Sequence, residues 1–334
     1  LTELADIIKA LSDTKAYPER TAKVEIAQTQ MSVVFLTNAL VYKVKKPVNL
    51  GYLDYTTLEK RKFLCEQEVR LNRRLCPDVY LGVVPITLER GVISLGGAGK
   101  PIEYAVRMRR LPADRMMDVL LAKNQVTVEM IMHVAEKVAD FHAGAETSPE
   151  IGKFGNLETI TFNTEENFNQ TEKYIPQAVS QEQYRRLVRY TRGFIKNETA
   201  LLNRRVTESR IKDCHGDLHS QHICFTDGIC IYDCIEFNDR FRYVDVAAEV
   251  SFLAMDLDRW GHPELAGELV AGYIARSGDK ELPQLLNFYR CYFAYVRAKV
   301  NCFRLDDALL PEEQKTGALA EARKYFALAE SYAQ

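Results

Sequence analysis

Residues 213–239, DCHGDLHSQHICFTDGICIYDCIEFND, constrain this chain more than any other stretch. Two short apolar runs, 223–225 and 229–232, flank Thr226-Asp227-Gly228, a sequence that closes a β-hairpin. A hairpin returns its second strand to where the first began, so His222 and Asp233 are predicted side by side. Asp217, five residues before His222 on a polar loop, is predicted near both. Two carboxylates and several imidazoles thus gather at the mouth of one hairpin. The half of the chain around it otherwise shows helical periodicity.

That periodicity covers 114–142, about 180–206, and nearly everything from 245 to 333. The first 110 residues read differently. A short helix over 1–13 places Leu4, Ile7, Ile8 and Leu11 on one face, and β-rich runs follow at 24–30, 31–37 and 39–46. A helix over 57–75 carries Leu64, Glu68, Leu71 and Leu75 in one stripe and stops at Pro77. Strands are predicted at 83–89, 91–95 and 101–108. GGAGKP (96–101) is not a phosphate-binding P-loop, because Ser94 stands where that motif needs Gly and Pro101 where it needs Ser or Thr. It reads as a hairpin turn. The expected class is α+β: a small β-rich lobe over 1–112, then a larger helical lobe over 113–334 that carries the hairpin.

Composition narrows the class of function. With 47% apolar and 27% charged residues the chain is an ordinary globular protein rather than a disordered one. No apolar run approaches the roughly 20 residues of a membrane span, and LTELADIIKALSD at the start lacks the layout of a signal peptide. A cytoplasmic protein is expected. The eight cysteines include no CxxC pair and read as buried thiols rather than a disulfide frame or zinc ribbon. A net charge of −2 argues against nucleic-acid binding. Within that total, residues 1–112 hold 18 Lys+Arg against 12 Asp+Glu, and the remainder is correspondingly acidic. Such a split suits an anion on one side and a cation on the other.

Converging carboxylates hold a hard divalent cation, and a loop Asp beside it can orient a hydroxyl and accept its proton. Phosphoryl transfer needs both, together with a cation for the phosphates. Lys43 and Lys45, two apart in a predicted strand, share a face and supply candidates. Glu68 is an acid inside an apolar stripe, which demands a partner; a strand lysine is the obvious one. Glu66 lies off the stripe and is the second choice.

These residues carry a resemblance. His215-Gly216-Asp217-Leu218-His219-x-x-His222-Ile223, then Ile231-Tyr232-Asp233, then Asp245, resembles the aminoglycoside phosphotransferase and choline-kinase branch of the protein-kinase-like fold. The chain looks closest to the aminoglycoside-phosphotransferase-like enzymes, some of which carry an appended P-loop domain. The resemblance implies a two-lobed kinase using ATP and Mg²⁺. Asp217 would match the catalytic-loop Asp, Asp233 the metal-binding Asp, Lys43 the phosphate-contacting lysine and Glu68 its helix partner. Met108, Arg109 and Arg110 would form the hinge whose backbone contacts adenine. Thr29, Gln30, Met31 and Ser32 would serve as the nucleotide loop, and Asp245 would hold the catalytic loop from the next helix. One position departs from the family pattern: His222 stands where a metal-ligating Asn is usual. Imidazole suits softer ions than Mg²⁺ and makes Mn²⁺ the alternative.

The expected acceptor is a small molecule with a hydroxyl. The acidic remainder favours a cationic or amino-bearing one, with Glu236 and Asp239 as candidate contacts. Two rival readings stand beside this. One is a nucleotide-binding pseudokinase without turnover, prompted by His222. The other is a metal-dependent hydrolase built on Asp217, His219 and His222, with His215 as a further ligand. Lys43, Lys45 and Lys46 also have an ordinary reading as solvated lysines on an edge strand.

Overall fold

Six antiparallel strands form one sheet from the first third of the chain in the computed structural model, which describes residues 3–308 and 310–334. Helix α1 (Leu4–Leu11) precedes strands β1 (Glu25–Gln28), β2 (Ser32–Leu36) and β3 (Leu40–Lys45). Helix α2 (Leu58–Asn72), started by the Thr57 hydroxyl accepting the Lys60 amide, leads to β4 (Tyr80–Glu89), β5 (Val92–Leu95) and β6 (Lys100–Arg109). The spatial order is β1-β2-β3-β6-β4-β5. β3 therefore lies inside the sheet, paired along both edges.

Alternation along β3 decides what each face touches. Tyr42 and Val44 pack with Ile7 and Leu11 of α1, Phe35 and Ile86. Lys43 and Lys45 point to the opposite face, that of α2. This removes the reading of solvated edge lysines: Lys45 is buried in an interior strand. The 96–99 link also differs from expectation. β5 and β6 pair with opposite sides of β4, so the link crosses that strand instead of closing a hairpin. Close passage explains its composition. A Cβ on Gly99 would lie 2.5 Å from the Leu88 carbonyl oxygen.

Helices α3 (Met117–Ala122), α4 (Val128–Gly144), α5 (Pro149–Gly152), α6 (Leu157–Thr171), α7 (Gln181–Asn197) and α8 (Thr199–Thr207) follow. Three short strands come next: β7 (Ile211–Asp213) and the predicted hairpin, β8 (Ile223–Phe225) and β9 (Ile229–Ile231). After α9 (Asp239–Arg242) and β10 (Tyr243–Asp245), the chain ends in α10 (Val246–Arg259), α11 (Pro263–Ser277), α12 (Leu282–Phe303) and α13 (Glu312–Tyr332). α10 is buried along almost its whole length, packing Phe252 and Met255 into a core shared with Phe168, Tyr295 and Phe326. α6, LETITFNTEENFNQT, escapes sequence reading because polar residues dominate it; burial of Thr164, Asn167, Phe168 and Thr171 on one side reveals its inward face.

The chain divides into two compact units, Leu1–Val119 with Gln221–Asp239, and Leu120–Ser220 with Arg240–Gln334. The hairpin belongs with the sheet, whereas the sequence assigned it to the helical lobe beyond Pro112. Its attachments explain the difference. Arg115 donates to the Phe225 carbonyl at 2.9 Å, and Met116 bridges to Cys224. Cys76, just past α2, forms a disulfide with Cys230 of β9. That bond corrects the expectation of thiols throughout. Only packing brings together two cysteines 154 positions apart. The other six cysteines are buried thiols. Among the described residues no helix is long and apolar enough to cross a membrane.

Candidate active site

Two lysines and three acids cluster on the α2 face of the first unit. Lys43 Nζ lies 2.7 Å from Asp233 Oδ1 and 3.0 Å from Glu68 Oε1. Lys45 Nζ lies 2.6 Å from Glu68 Oε2, 3.4 Å from the Tyr55 hydroxyl, and against Glu236. Glu68 is fully buried, and an uncompensated carboxylate there would be prohibitive. Burial works to raise its pKa, and the two lysines outweigh burial and hold it below the usual glutamate value. Burial likewise works to lower Lys43; Asp233, then Glu68 and Glu236, outweigh it and keep the ammonium charged. The lysine face and Glu68 thus meet as the sequence suggested, with Lys45 as a second partner. Glu66, by contrast, is exposed and lies 3.9 Å from Lys62.

The hairpin mouth is built as its turn sequence dictates. The Tyr232 amide donates to the His222 carbonyl at 3.0 Å, and His222 Nε2 stands 3.6 Å from Asp233 Oδ2. Asp233 adopts φ +63°, a left-handed backbone that is uncommon outside glycine and concentrates at functional positions. Three groups hold it there. The Tyr80 hydroxyl accepts the Asp233 amide at 3.2 Å, Asn72 Oδ1 accepts the Cys234 amide at 2.9 Å, and the disulfide fixes Cys230. The Asp233 side chain is 40% exposed and that of His222 14%, so a carboxylate and an imidazole stand side by side within reach of solvent ions. This donor pair fits a divalent cation, with the imidazole favouring Mn²⁺ over Mg²⁺.

Several expected contacts read differently in three dimensions. Glu236 is buried, with its Oε1 taken by Lys45 and by the Tyr55 hydroxyl at 2.7 Å, so it serves as an internal counter-ion instead of the expected surface contact for a cationic acceptor. Asp239 begins α9 and is exposed. In the link between β1 and β2, the Thr29 hydroxyl accepts the amides of Met31 and Ser32 at 3.2 and 3.0 Å. Those amides close the turn on itself and are not offered to a phosphate. Ser32 is buried in β2, and Gln30 is exposed. Met108 and Arg109 are sheet residues, opposite Val41 and Leu40 of β3. The Arg109 and Arg110 amides donate to Val79 and Ala39 carbonyls at 2.9 and 2.8 Å, which leaves neither for adenine.

In the second unit, the loop bearing Asp217 is pinned at both ends by acids of one helix. Glu249 Oε1 accepts the amides of His215 and Gly216 at 2.7 and 2.6 Å. Seven residues on, Asp256 Oδ2 accepts the Ser220 amide at 2.8 Å. Glu249 Oε2 also meets His142 Nε2 at 2.8 Å, and His142 Nδ1 meets the Tyr273 hydroxyl at 2.8 Å. Burial works to raise the Glu249 carboxyl, but His142, His215 and the Gly216 amide outweigh it and hold it below its ordinary value. Gly216 has φ +87°, and a Cβ there would lie 2.7 Å from the Phe241 carbonyl oxygen; only glycine passes. Asp217 itself is partly buried, its amide 3.3 Å from His215 Nδ1 and its carboxylate 3.6 Å from His219 Nε2.

Holding this loop falls to Glu249 and Asp256, not to Asp245. Asp245 accepts the Ala247 amide at the start of α10 and pairs with the buried Arg205, which also binds Asp279. Sequence reading passed over Glu249. The available signal was VAAEVSFLAMDLD, an apolar helix with acids seven apart, hence on one face two turns apart.

Comparison with known proteins gives the family and the fold. Residues 65–285 match the model of the phosphotransferase enzyme family. An uncharacterized protein of Mycobacterium tuberculosis is 31% identical over 312 residues, covering 93% of this chain and 60% of the relative, and one of Mycobacterium bovis matches equally. The chain thus spans about three fifths of the length of these curated relatives. A choline/ethanolamine kinase family protein from Mesorhizobium loti has a TM-score of 0.54 at 11% identity, covering 98% of each chain. An amicoumacin kinase solved with AMP-PNP and Ca²⁺ has a TM-score of 0.55 at 9% identity, covering 98% of this chain and 94% of that one. At such identities the likeness is one of fold, the α+β protein-kinase-like fold expected from the sequence. The matched span takes in Glu68, the Asp217 loop, the hairpin and α10, and on that ground the chain belongs to the phosphotransferase enzyme family.

Proposed function

We propose that the protein is an ATP-dependent kinase that phosphorylates a hydroxyl of a small molecule. The observation carrying this reading is the ion-paired Lys43, set between the buried Glu68 and the exposed Asp233. A cation in that setting suits the terminal phosphates of a nucleotide, and phosphoryl transfer depends mostly on positioning and charge neutralisation. Asp217 orients the acceptor hydroxyl and takes its proton as the oxygen–phosphorus bond forms, while the bond from the γ-phosphorus to its bridging oxygen breaks and ADP leaves. Asp233, with His222, holds the divalent ion. Mg²⁺ or Mn²⁺ bound there supplies positive charge against the phosphate oxygens. Glu68 keeps the lysines charged and in place.

Asp239 remains the candidate acidic contact for the acceptor, and Gln30 the candidate nucleotide contact in its loop. The cytoplasm, where ATP is supplied, is the compartment this reading implies. The Cys76–Cys230 bridge is buried, which slows exchange with solvent thiols and makes it compatible with that setting. His222 at the usual Asn position favours a second reading, a nucleotide-binding module without turnover.

Thermal shift with ATP plus Mg²⁺ or Mn²⁺, followed by ATP consumption across a panel of hydroxyl acceptors, tests the assignment. Binding and turnover are expected in the wild type. Asp217→Ala is expected to bind nucleotide and lose transfer. Turnover retained in Asp217→Ala overturns the role of Asp217. Binding without turnover on any acceptor favours the second reading, and absence of binding removes both.

A further inference from the structure

We propose that the two lysines of β3 divide the work of one: Lys45 is a permanent internal counter-ion, while Lys43 is an exchangeable cation that holds Asp233 until a divalent ion displaces it. The inference rests on Asp233 being the metal ligand of the proposed function, and goes beyond it by assigning the metal-free state.

Lys45 has every mark of a fixed group. Its side chain is 1% exposed, and its three N–H bonds find Glu68, Glu236 and the Tyr55 oxygen. A lysine ammonium has three donors, so this one is saturated. A buried charge with all its donors used has nowhere better to go. Lys45 also joins α2, through Glu68, to the segment after β9, through Glu236.

Lys43 is placed differently. Its hydrogen bond goes to Asp233 at 2.7 Å. Glu68 Oε1, although 3.0 Å from Lys43, accepts no hydrogen bond from it. Lys43 therefore contributes charge to Glu68 and a directed bond to Asp233. Its side chain is 18% exposed and that of Asp233 40%, so the pair lies within reach of solvent ions. An ammonium on Oδ1 occupies space that a metal needs on the same oxygen, because a ligating carboxylate oxygen sits roughly 2.0–2.1 Å from an ion such as Mg²⁺. The two cannot share it. When Lys43 leaves, Lys45 keeps its hydrogen bond to Glu68, and the divalent ion that replaces Lys43 on Asp233 supplies the positive charge that this cluster of acids needs. The flexible four-carbon stem lets the freed ammonium turn to phosphate oxygens.

Titration of the full chain with Mn²⁺ alone, without nucleotide, tests this by the electron paramagnetic resonance of the free ion. Lys43→Met is expected to bind Mn²⁺ about threefold tighter than wild type or more, since a partly exposed ion pair no longer competes. Lys43→Arg, which keeps the cation, is expected to stay near wild type. In thermal melts Lys45→Met is expected to lose far more stability than Lys43→Met. Equal or weaker Mn²⁺ binding by Lys43→Met overturns the inference, as does a Lys43→Met protein that fails to fold or melts below Lys45→Met. Asp233→Asn separates the two levels. If it leaves Mn²⁺ binding intact, the metal assignment in the proposed function fails. If it abolishes binding while Lys43→Met is unchanged, only the division of labour fails.

Discussion

Replacing Glu249 by Gln probes the loop that carries Asp217 with little change in shape. The buried carboxylate takes two backbone amides, at 2.7 and 2.6 Å, and faces His142 at 2.8 Å. Glutamine keeps an oxygen toward the amides but gives up the charge. Hydrogen bonds to a charged partner contribute about 1.5–3 kcal/mol and neutral ones about 0.5–1.5. Each of the three contacts then loses roughly 1 kcal/mol, for a total near 3 kcal/mol. Glu249→Ala should cost more, because two buried amides lose their acceptor outright. Urea unfolding followed by the fluorescence of Trp260 is a suitable assay. Trp260, the only tryptophan, donates to the Ser220 hydroxyl at 3.1 Å and so reports on this loop. Hydrogen exchange of the His215 and Gly216 amides should accelerate in parallel. A Glu249→Gln protein within about 0.5 kcal/mol of wild type, with unchanged exchange at both amides, would refute the assigned role.

Two further outcomes follow from buried groups. Alkylation of the unfolded, unreduced protein should modify six thiols, leaving Cys76 and Cys230 protected, and Cys76→Ser with Cys230→Ser should lower stability by roughly 2–5 kcal/mol; eight reactive thiols would disprove the bridge. Glu68, Glu249 and Asp279 are all held below their ordinary carboxyl values. Their contribution to stability is full above the unfolded-state pKa, near 4.5 for the glutamates, and is lost as pH falls through the lower folded values. Urea midpoints should therefore hold steady from pH 7 to 5 and drop steeply below about 4.5; a midpoint that rises on acidification would contradict these carboxylates being ionised.

Much of the site was legible because its chemistry is local. Thr226-Asp227-Gly228 between two apolar runs specifies a hairpin, and a hairpin puts His222 beside Asp233 whatever surrounds it. Strand periodicity put Lys43 and Lys45 on one face, and an acid in an apolar stripe marked Glu68 as needing a cation. Readings that depended on neighbours fared less well. Glu236 read as an available acid, but in the interior it pairs with Lys45 and accepts from the Tyr55 hydroxyl. The Thr29 turn read as a phosphate cradle, but its hydroxyl consumes its own amides. Asp245 read as the anchor of the catalytic loop, yet it caps α10 and pairs with Arg205, while Glu249 and Asp256 take the loop amides.

By itself, the order of residues determined the elements, the turn between β8 and β9, and which side chains leave each strand or helix on a common face, since these depend on backbone geometry a few residues long. The tertiary structure decided partnership: which of two adjacent lysines is sealed in, which acids already have cations, and which two of eight cysteines meet. A buried group takes its properties from whatever packs against it, and for Glu68, Glu236 and Cys76 those groups lie 23 to 191 positions away along the chain.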